Sequence, residues 1–239
     1  MTGHIKRAMV LAAGLGLRMR PLTENRPKPL ISVAGRSLLD RALDHLEEAG
    51  VEEAVVNLHY LGDMIEAPLA HRSAPRTVLS REDNQLLETG GGVTRALPAL
   101  GDDPFFVVNA DIAWADGTVP ALQRLTSAWR DATMDALLLV HPVATATGYD
   151  GVGDYTVGDG SALHRRRDDP GAPYVFTGIQ LLHPRLFTDA PEGPFSLRHL
   201  YDQAESMGRL SGLIHDGQWH HIGTPSGLDI AERHLAGER

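Results

Sequence analysis

The 239-residue chain contains no cysteine. That absence excludes disulfides, cysteine-ligated zinc, iron–sulfur clusters and any thiol nucleophile. It is compatible with a cytoplasmic setting. No run of 18 apolar residues occurs, so no membrane-spanning helix is expected. Long basic runs are also missing, and Lys plus Arg number 22 against 31 Asp plus Glu, a net charge of −9. Nucleic-acid binding is therefore not expected, and an anionic substrate must be held by local positive groups rather than the global field. The N-terminal apolar stretch Ala8–Ala13 is too short, and too closely followed by glycines and arginines, to be a signal-peptide core.

What remains is ordinary globular material, 42% hydrophobic and 22% charged. A chain of this length buries roughly 70% of its unfolded surface and needs no covalent staple. Apolar runs at 8–13, 54–58, 76–80, 105–109, 136–141 and 174–182 read as strands. Between them lie helical patterns at 38–49, 63–70, 119–130, 196–207 and 225–235, with a helical turn at 94–100. This alternation predicts an α/β fold, a mostly parallel, Rossmann-like sheet with helices on both faces. One domain spanning 1–239 is expected, with halves of about 1–115 and 116–239. The glycine- and aspartate-rich stretch 145–173, with its charge run His164–Asp169, reads as a solvated hairpin or loop. No internal repeat is visible.

The segment LAAGLGLRMRPLTENRPKPL, residues 11 to 30, is the richest in chemistry. It follows a strand. Gly14 and Gly16 permit close backbone approach, and amides from Ala12, Ala13, Gly14, Gly16 and Leu17 can form a concave donor cluster for phosphate oxygens. Arg18 and Lys28 supply a fork and a point charge suited to a polyphosphate. The loop lacks the third glycine of the dinucleotide fingerprint and the G-K-[ST] ending of a P-loop. Asp111 follows the buried strand 105–109, where open α/β sheets bind ligands, and could hold a divalent cation or cap a helical turn.

The pattern G-x-G-x-R-M-x-P-L-T-x(4)-K-P resembles the signature of the sugar-1-phosphate nucleotidyltransferases. These join a nucleoside triphosphate to a sugar 1-phosphate and release pyrophosphate. The resemblance implies that Arg18 neutralises the β- and γ-phosphates, that Lys28 bridges the α-phosphate and the incoming phosphate, and that Asp111 is a metal ligand. The family's second metal aspartate sits in W-x-D-x-G-T. Here the stretch is Trp219-His220-His221-Ile222-Gly223-Thr224, so His221 stands at the aspartate position. Mg²⁺ is the expected metal, with Mn²⁺ or Co²⁺ accommodated by the imidazole. The stretch L-E-T-G-G-G around Gly90, and Y-V-F-T-G-I followed by L-H-P, are similar to the N-acetylmuramate-1-phosphate uridylyltransferases of bacterial cell-wall recycling. That similarity makes UTP the expected nucleotide, with Glu82 and Gly90 near it. Asn109, Asp154 and Thr177 become the expected sugar contacts. Two alternatives stay open: a guanylyltransferase acting on mannose or heptose 1-phosphate, and a non-catalytic sugar-nucleotide sensor that kept the fold and lost the metal site. Oligomeric state leaves no mark in the sequence.

Overall fold

The computed structural model describes residues 4–236; positions 1–3 and 237–239 of the expected domain lie outside the described residues. β1 (Arg7–Leu11) leads through the glycine loop to a small hairpin, β2 (Ser32–Val33) and β3 (Arg36–Ser37). There follow α1 (Leu38–Glu48), β4 (Glu53–Leu58), α2 (Gly62–Leu69), β5 (Arg76–Arg81), α3 (Glu88–Leu100) and β6 (Phe105–Asn109). The second half runs β7 (Ile112–Ala115), α4 (Ala121–Ala128), β8 (Ala136–Pro142), the hairpin β9 (Tyr155–Val157) and β10 (Leu163–Arg165), then β11 (Tyr174–Leu182). It closes with α5 (Arg198–Ser206), β12 (Leu210–Ile214), β13 (Gln218–His221) and α6 (Pro225–Ala236).

The main sheet is ordered β12-β8-β11-β6-β1-β4-β5, with the β9–β10 hairpin attached at the end of β11. β1 pairs in parallel with β4 and β6, and β4 with β5. β11 runs antiparallel to β6 and β8, so the expected parallel half continues into a mixed half. Leucines and valines fill one layer beneath α1, α2 and α4, and a second beneath α3 and α5. Burying one such leucine contributes roughly 1.5–3 kcal/mol relative to exposure. α6 forms a third cluster with Met19, Val33, Leu38 and Ile222, tying the C-terminus to the glycine loop.

Local chemistry explains the boundaries. α1 starts where the Ser37 hydroxyl accepts the Asp40 N–H at 3.0 Å, and Gly50 at φ +78° follows its last turn. β1 stops at Leu11, two residues short of the expected end, because the Ala12 N–H turns to the Asn57 side chain instead of a neighbouring strand. α3 begins at Glu88, six residues before the expected helical turn, and takes all three glycines inside. A Cβ on Gly90 would collide with the Phe195 ring, and one on Gly91 with the Gly193 carbonyl. The glycines there serve close packing of α3 against the segment before α5.

Gly91→Ala should therefore strain α3 and lower stability by about 1–3 kcal/mol, read from urea unfolding. Gly14→Ala, where an added Cβ meets nothing within 4 Å, should leave the unfolding midpoint unchanged.

Candidate active site

β1 and β6 end in register, Leu11 opposite Asn109, so the glycine loop and Asp111 leave the sheet side by side. The Ala110 N–H donates to the Leu11 carbonyl at 3.0 Å and holds the two exits together. The loop then doubles back. Gly16 adopts φ +63°, and the Thr23 hydroxyl donates to its carbonyl at 2.7 Å. An added Cβ on Gly16 would press on Thr23 and on the Lys28 Cβ at 3.2–3.3 Å. Tyr60 pins the outer arm by donating to the Glu24 carbonyl at 2.8 Å. Lys28 is consequently buried under the loop, and its Nζ lies 2.9 Å from Asp111 Oδ2. Arg18, by contrast, is exposed at the lip.

Ala12, Gly14, Gly16, Leu17, Arg18, Lys28 and Asp111 all line one cleft of about 320 Å³. A second cavity of about 170 Å³ shares Leu11, Gly14 and Asp111 with it and adds Ala13, Thr89 and Asn109. Thr89 and Asn109 in turn line a third chamber of about 220 Å³, which contains Asp154. One continuous groove thus runs from the cationic loop, past Asp111, to Asp154.

Glu82 and Gly90 do not line this groove. Glu82 is buried, and both carboxylate oxygens are engaged: Oε1 accepts from Asn57 Nδ2 at 2.7 Å and Oε2 from the Leu87 N–H at 2.8 Å. Asn57 Oδ1 in turn accepts the Ala12 N–H at 2.7 Å. Glu82 therefore braces the start of the glycine loop and the entry to α3 from behind. The Gly90 N–H donates to the Phe195 carbonyl, so it is unavailable to a ligand. Thr177 is also inside: its hydroxyl donates to the Leu139 carbonyl at 2.7 Å, and its carbonyl accepts from Trp219 Nε1 at 3.0 Å. It shapes the bulge of β11 between Phe176 and Gln180. The adjacent Gly178, at φ +85°, leaves the space that the Asn109 side chain fills.

His221 sits on β13, which pairs antiparallel with β7, placing His221 opposite Ile112 and beside Asp111 in the fold. Its ring packs over Gly223, which lines the cleft. Burial pushes its pKa down, Asp111 opposes this, and Lys28 and Arg18 reinforce it. The ring is neutral near pH 7 and lies within the field of all three groups. Strand alternation sends His220 the other way, against His234 of α6, where burial lowers its pKa to about 4. Asp216 pairs with Arg124 at 2.5 Å, away from Asp111. Among the described residues no three His, Asp or Glu side chains converge as a ready-made metal cage. Asp111 and neutral His221 offer one carboxylate and one imidazole, a donor set that fits a divalent cation whose other positions are filled by phosphate oxygens.

The sequence reading passed over Arg165, Arg166, Gln180 and Arg198, which line the third chamber. Arg165 and Arg166 belong to the charge run read as solvated. The run does enter a hairpin, but Arg165 at the end of β10 and Arg166 just after it are half-buried. Gln180 lies in an apolar strand pattern that gives no signal of a polar site.

The chain matches the family described as "MobA-like NTP transferase domain" over residues 8–187. It is 42% identical to the N-acetylmuramate alpha-1-phosphate uridylyltransferase of Caulobacter vibrioides over 97% of both chains. With the enzyme of the same name from Neisseria meningitidis serogroup B the identity is 35%, over 97% of this chain and 98% of that one. A UDP-glucose pyrophosphorylase complexed with UDP-glucose superimposes with a TM-score of 0.80 at 18% identity, covering 98% of this chain and 100% of that one, a likeness of fold. No described helix is long and apolar enough to cross a membrane.

Removing the Glu82 brace should be felt at a distance. Glu82→Ala leaves the Asn57 amide and the Leu87 N–H without acceptors and should cost about 1–3 kcal/mol for each buried donor left unmet. Glu82→Gln keeps an acceptor and should cost less. Urea midpoints of the two variants check the order.

Proposed function

The chain belongs to the MobA-like NTP transferase family and is a sugar-1-phosphate nucleotidyltransferase; from that premise we propose that it transfers a uridylyl group from UTP to N-acetylmuramate α-1-phosphate, giving UDP-N-acetylmuramate and pyrophosphate. The observation that carries the reading is the continuous groove, with a cationic phosphate cleft at one end and a polar, sugar-sized chamber at the other. The names of two relatives matching over nearly their whole length support the nucleotide and the sugar.

A phosphate oxygen of the sugar attacks the α-phosphorus in line, forming the new P–O bond as the bond to pyrophosphate breaks. The second pKa of a phosphomonoester is about 6, so the attacking group is already anionic at neutral pH and needs no general base. Catalysis is then positioning and charge neutralisation. Lys28, buried and steered by Asp111, presents one fixed ammonium where the two phosphates meet. The exposed Arg18 faces the departing pyrophosphate from the lip of the cleft. Glycine-loop amides provide oriented donors that need no rearrangement during the reaction. Asp111 and His221 are the residues that would hold a divalent cation, Mg²⁺ foremost, which when bound would draw charge from the α-phosphate. Asn109 and Asp154 face the sugar hydroxyls and amide. The reaction returns a cell-wall sugar to the nucleotide pool, a recycling role suited to the cytoplasm.

Pyrophosphate release, measured with the four common triphosphates against a set of sugar 1-phosphates, tests the assignment. UTP with N-acetylmuramate 1-phosphate should give the highest kcat/KM; a GTP preference with mannose 1-phosphate would replace the base and sugar, and nucleotide binding with no turnover would leave a sensor.

Lys28→Ala or Arg18→Ala should lower kcat/KM about 10²-fold or more, the scale of one positioned charge in a site. Arg18→Ala is the cleaner variant, because the side chain is exposed and its unfolding midpoint should not move. Near-full activity in either would remove that residue from the mechanism.

A further inference from the structure

The third chamber is polar in a lopsided way. It lies between β11, the β9–β10 hairpin and the N-terminus of α5. Arg165 is neutralised there by a two-pronged pair with Asp202, at 2.6 and 2.9 Å. Arg166 is held by the carbonyls of Gly153 and Asp169 at 3.0 and 3.1 Å, which fix its position without cancelling its charge. Arg198 is exposed at the chamber wall, and no hydrogen bond or ion pair involves its guanidinium among the described residues. Against these stands Asp154, whose Oδ2 accepts the Phe176 N–H at 2.9 Å. With Arg165 cancelled by Asp202, and Asp154 offsetting one of the remaining arginines, the chamber keeps a net positive charge.

A second, independent feature points the same way. Gln180 is fully buried on β11 and lines the chamber. Its Oε1 accepts the Tyr201 hydroxyl, which fixes the amide, and its Nε2 has no acceptor. A buried amide nitrogen carries two N–H donors, and here, on the wall of a polar chamber, they leave a place for an acceptor. The first turn of α5, where Leu197 and Arg198 line the wall, adds the positive end of a helix. The missing acceptor and the missing counter-charge are complementary to a single group.

We propose that this chamber recognises an anionic substituent on the sugar ring, a carboxylate, with Arg198 as its counter-charge and Gln180 Nε2 as its fixed donor. This anion is separate from the 1-phosphate, which must reach Lys28 at the other end of the groove. The inference rests on the uridylyl-transfer reading and deepens it: the carboxylate of the lactyl ether is what sets N-acetylmuramate apart from N-acetylglucosamine. Asp154 faces the uncharged part of the ring, where hydroxyl and amide donors need an acceptor.

Three acceptors separate the contributions: N-acetylmuramate 1-phosphate, its carboxyl methyl ester, and N-acetylglucosamine 1-phosphate. The wild type should favour the free acid over the ester in kcat/KM by about 10–100-fold, the worth of one charge-assisted hydrogen-bonded pair. Arg198→Ala should collapse that acid-to-ester ratio towards unity, and Arg198→Lys should restore part of it. Equal use of acid and ester by the wild type would overturn the proposal, as would an Arg198→Ala variant that slows all three acceptors by one factor. If another triphosphate replaces UTP, the uridylyl assignment fails, and the acid-to-ester ratio measured with that nucleotide still decides the role of Arg198. If nothing is turned over, calorimetric binding of acid against ester decides it.

Discussion

The buried pair of Asn57 and Glu82 is the constraint on which the site depends. Four segments meet at it: the exit of β1 through Ala12, the end of β4, the end of β5, and the lead into α3 through Leu87. Parallel strands end in loops that share no ladder, so nothing in a sheet's own hydrogen bonding fixes one loop against the next. Here a carboxylate and an amide replace that missing ladder. The Gly92 backbone approaches the pair so closely that an added Cβ would lie 3.0 Å from both side chains. The glycine loop can therefore present its amides without folding around the ligand first, which spares binding the entropic cost of ordering.

From that anchored loop the electrostatics follow. The chain carries a net charge of −9, yet its groove collects cations at both ends. At the phosphate end Lys28 is held by Asp111 and Arg18 lines the mouth, while Arg166 and Arg198 line the sugar chamber. The pairing keeps the buried ammonium in place while the site is empty, since an unpaired buried charge would be costly. Incoming phosphates then meet a cation already in position.

Much of this was legible in the chain itself, because it rested on local patterns. The strands of the first half, the helix read at 38–49, and the placing of Gly14, Gly16 and Arg18 on one loop follow from periodicity and loop chemistry. What stayed hidden depended on distant partners. The short strands β7, β12 and β13 find their partners far along the chain and are too short to show a period of their own. Thr177 and Glu82 look like ligand-facing polar residues in sequence, and only the fold reveals that their polar atoms are taken by Leu139, Asn57 and Leu87. Arg166 and Arg198 look like solvated charges for the converse reason: the hairpin and helix that aim them are set by tertiary packing.

The β9–β10 hairpin is tied to the main sheet at two points, Tyr174 opposite Tyr155 and a bridge from Ala162 to Ser211 of β12. Its remaining ties reach β11 and α5, such as Asp154 N–H to the Tyr174 carbonyl at 2.7 Å and Arg165 to Asp202. The phosphate end of the groove shares none of these bonds. The two ends of the groove are thus braced by separate sets of bonds, although Tyr155 and Leu163 root the hairpin in the core. A change at the exposed Arg198 or at Arg166 would alter the sugar chamber while leaving the Lys28–Asp111 pair its own supports.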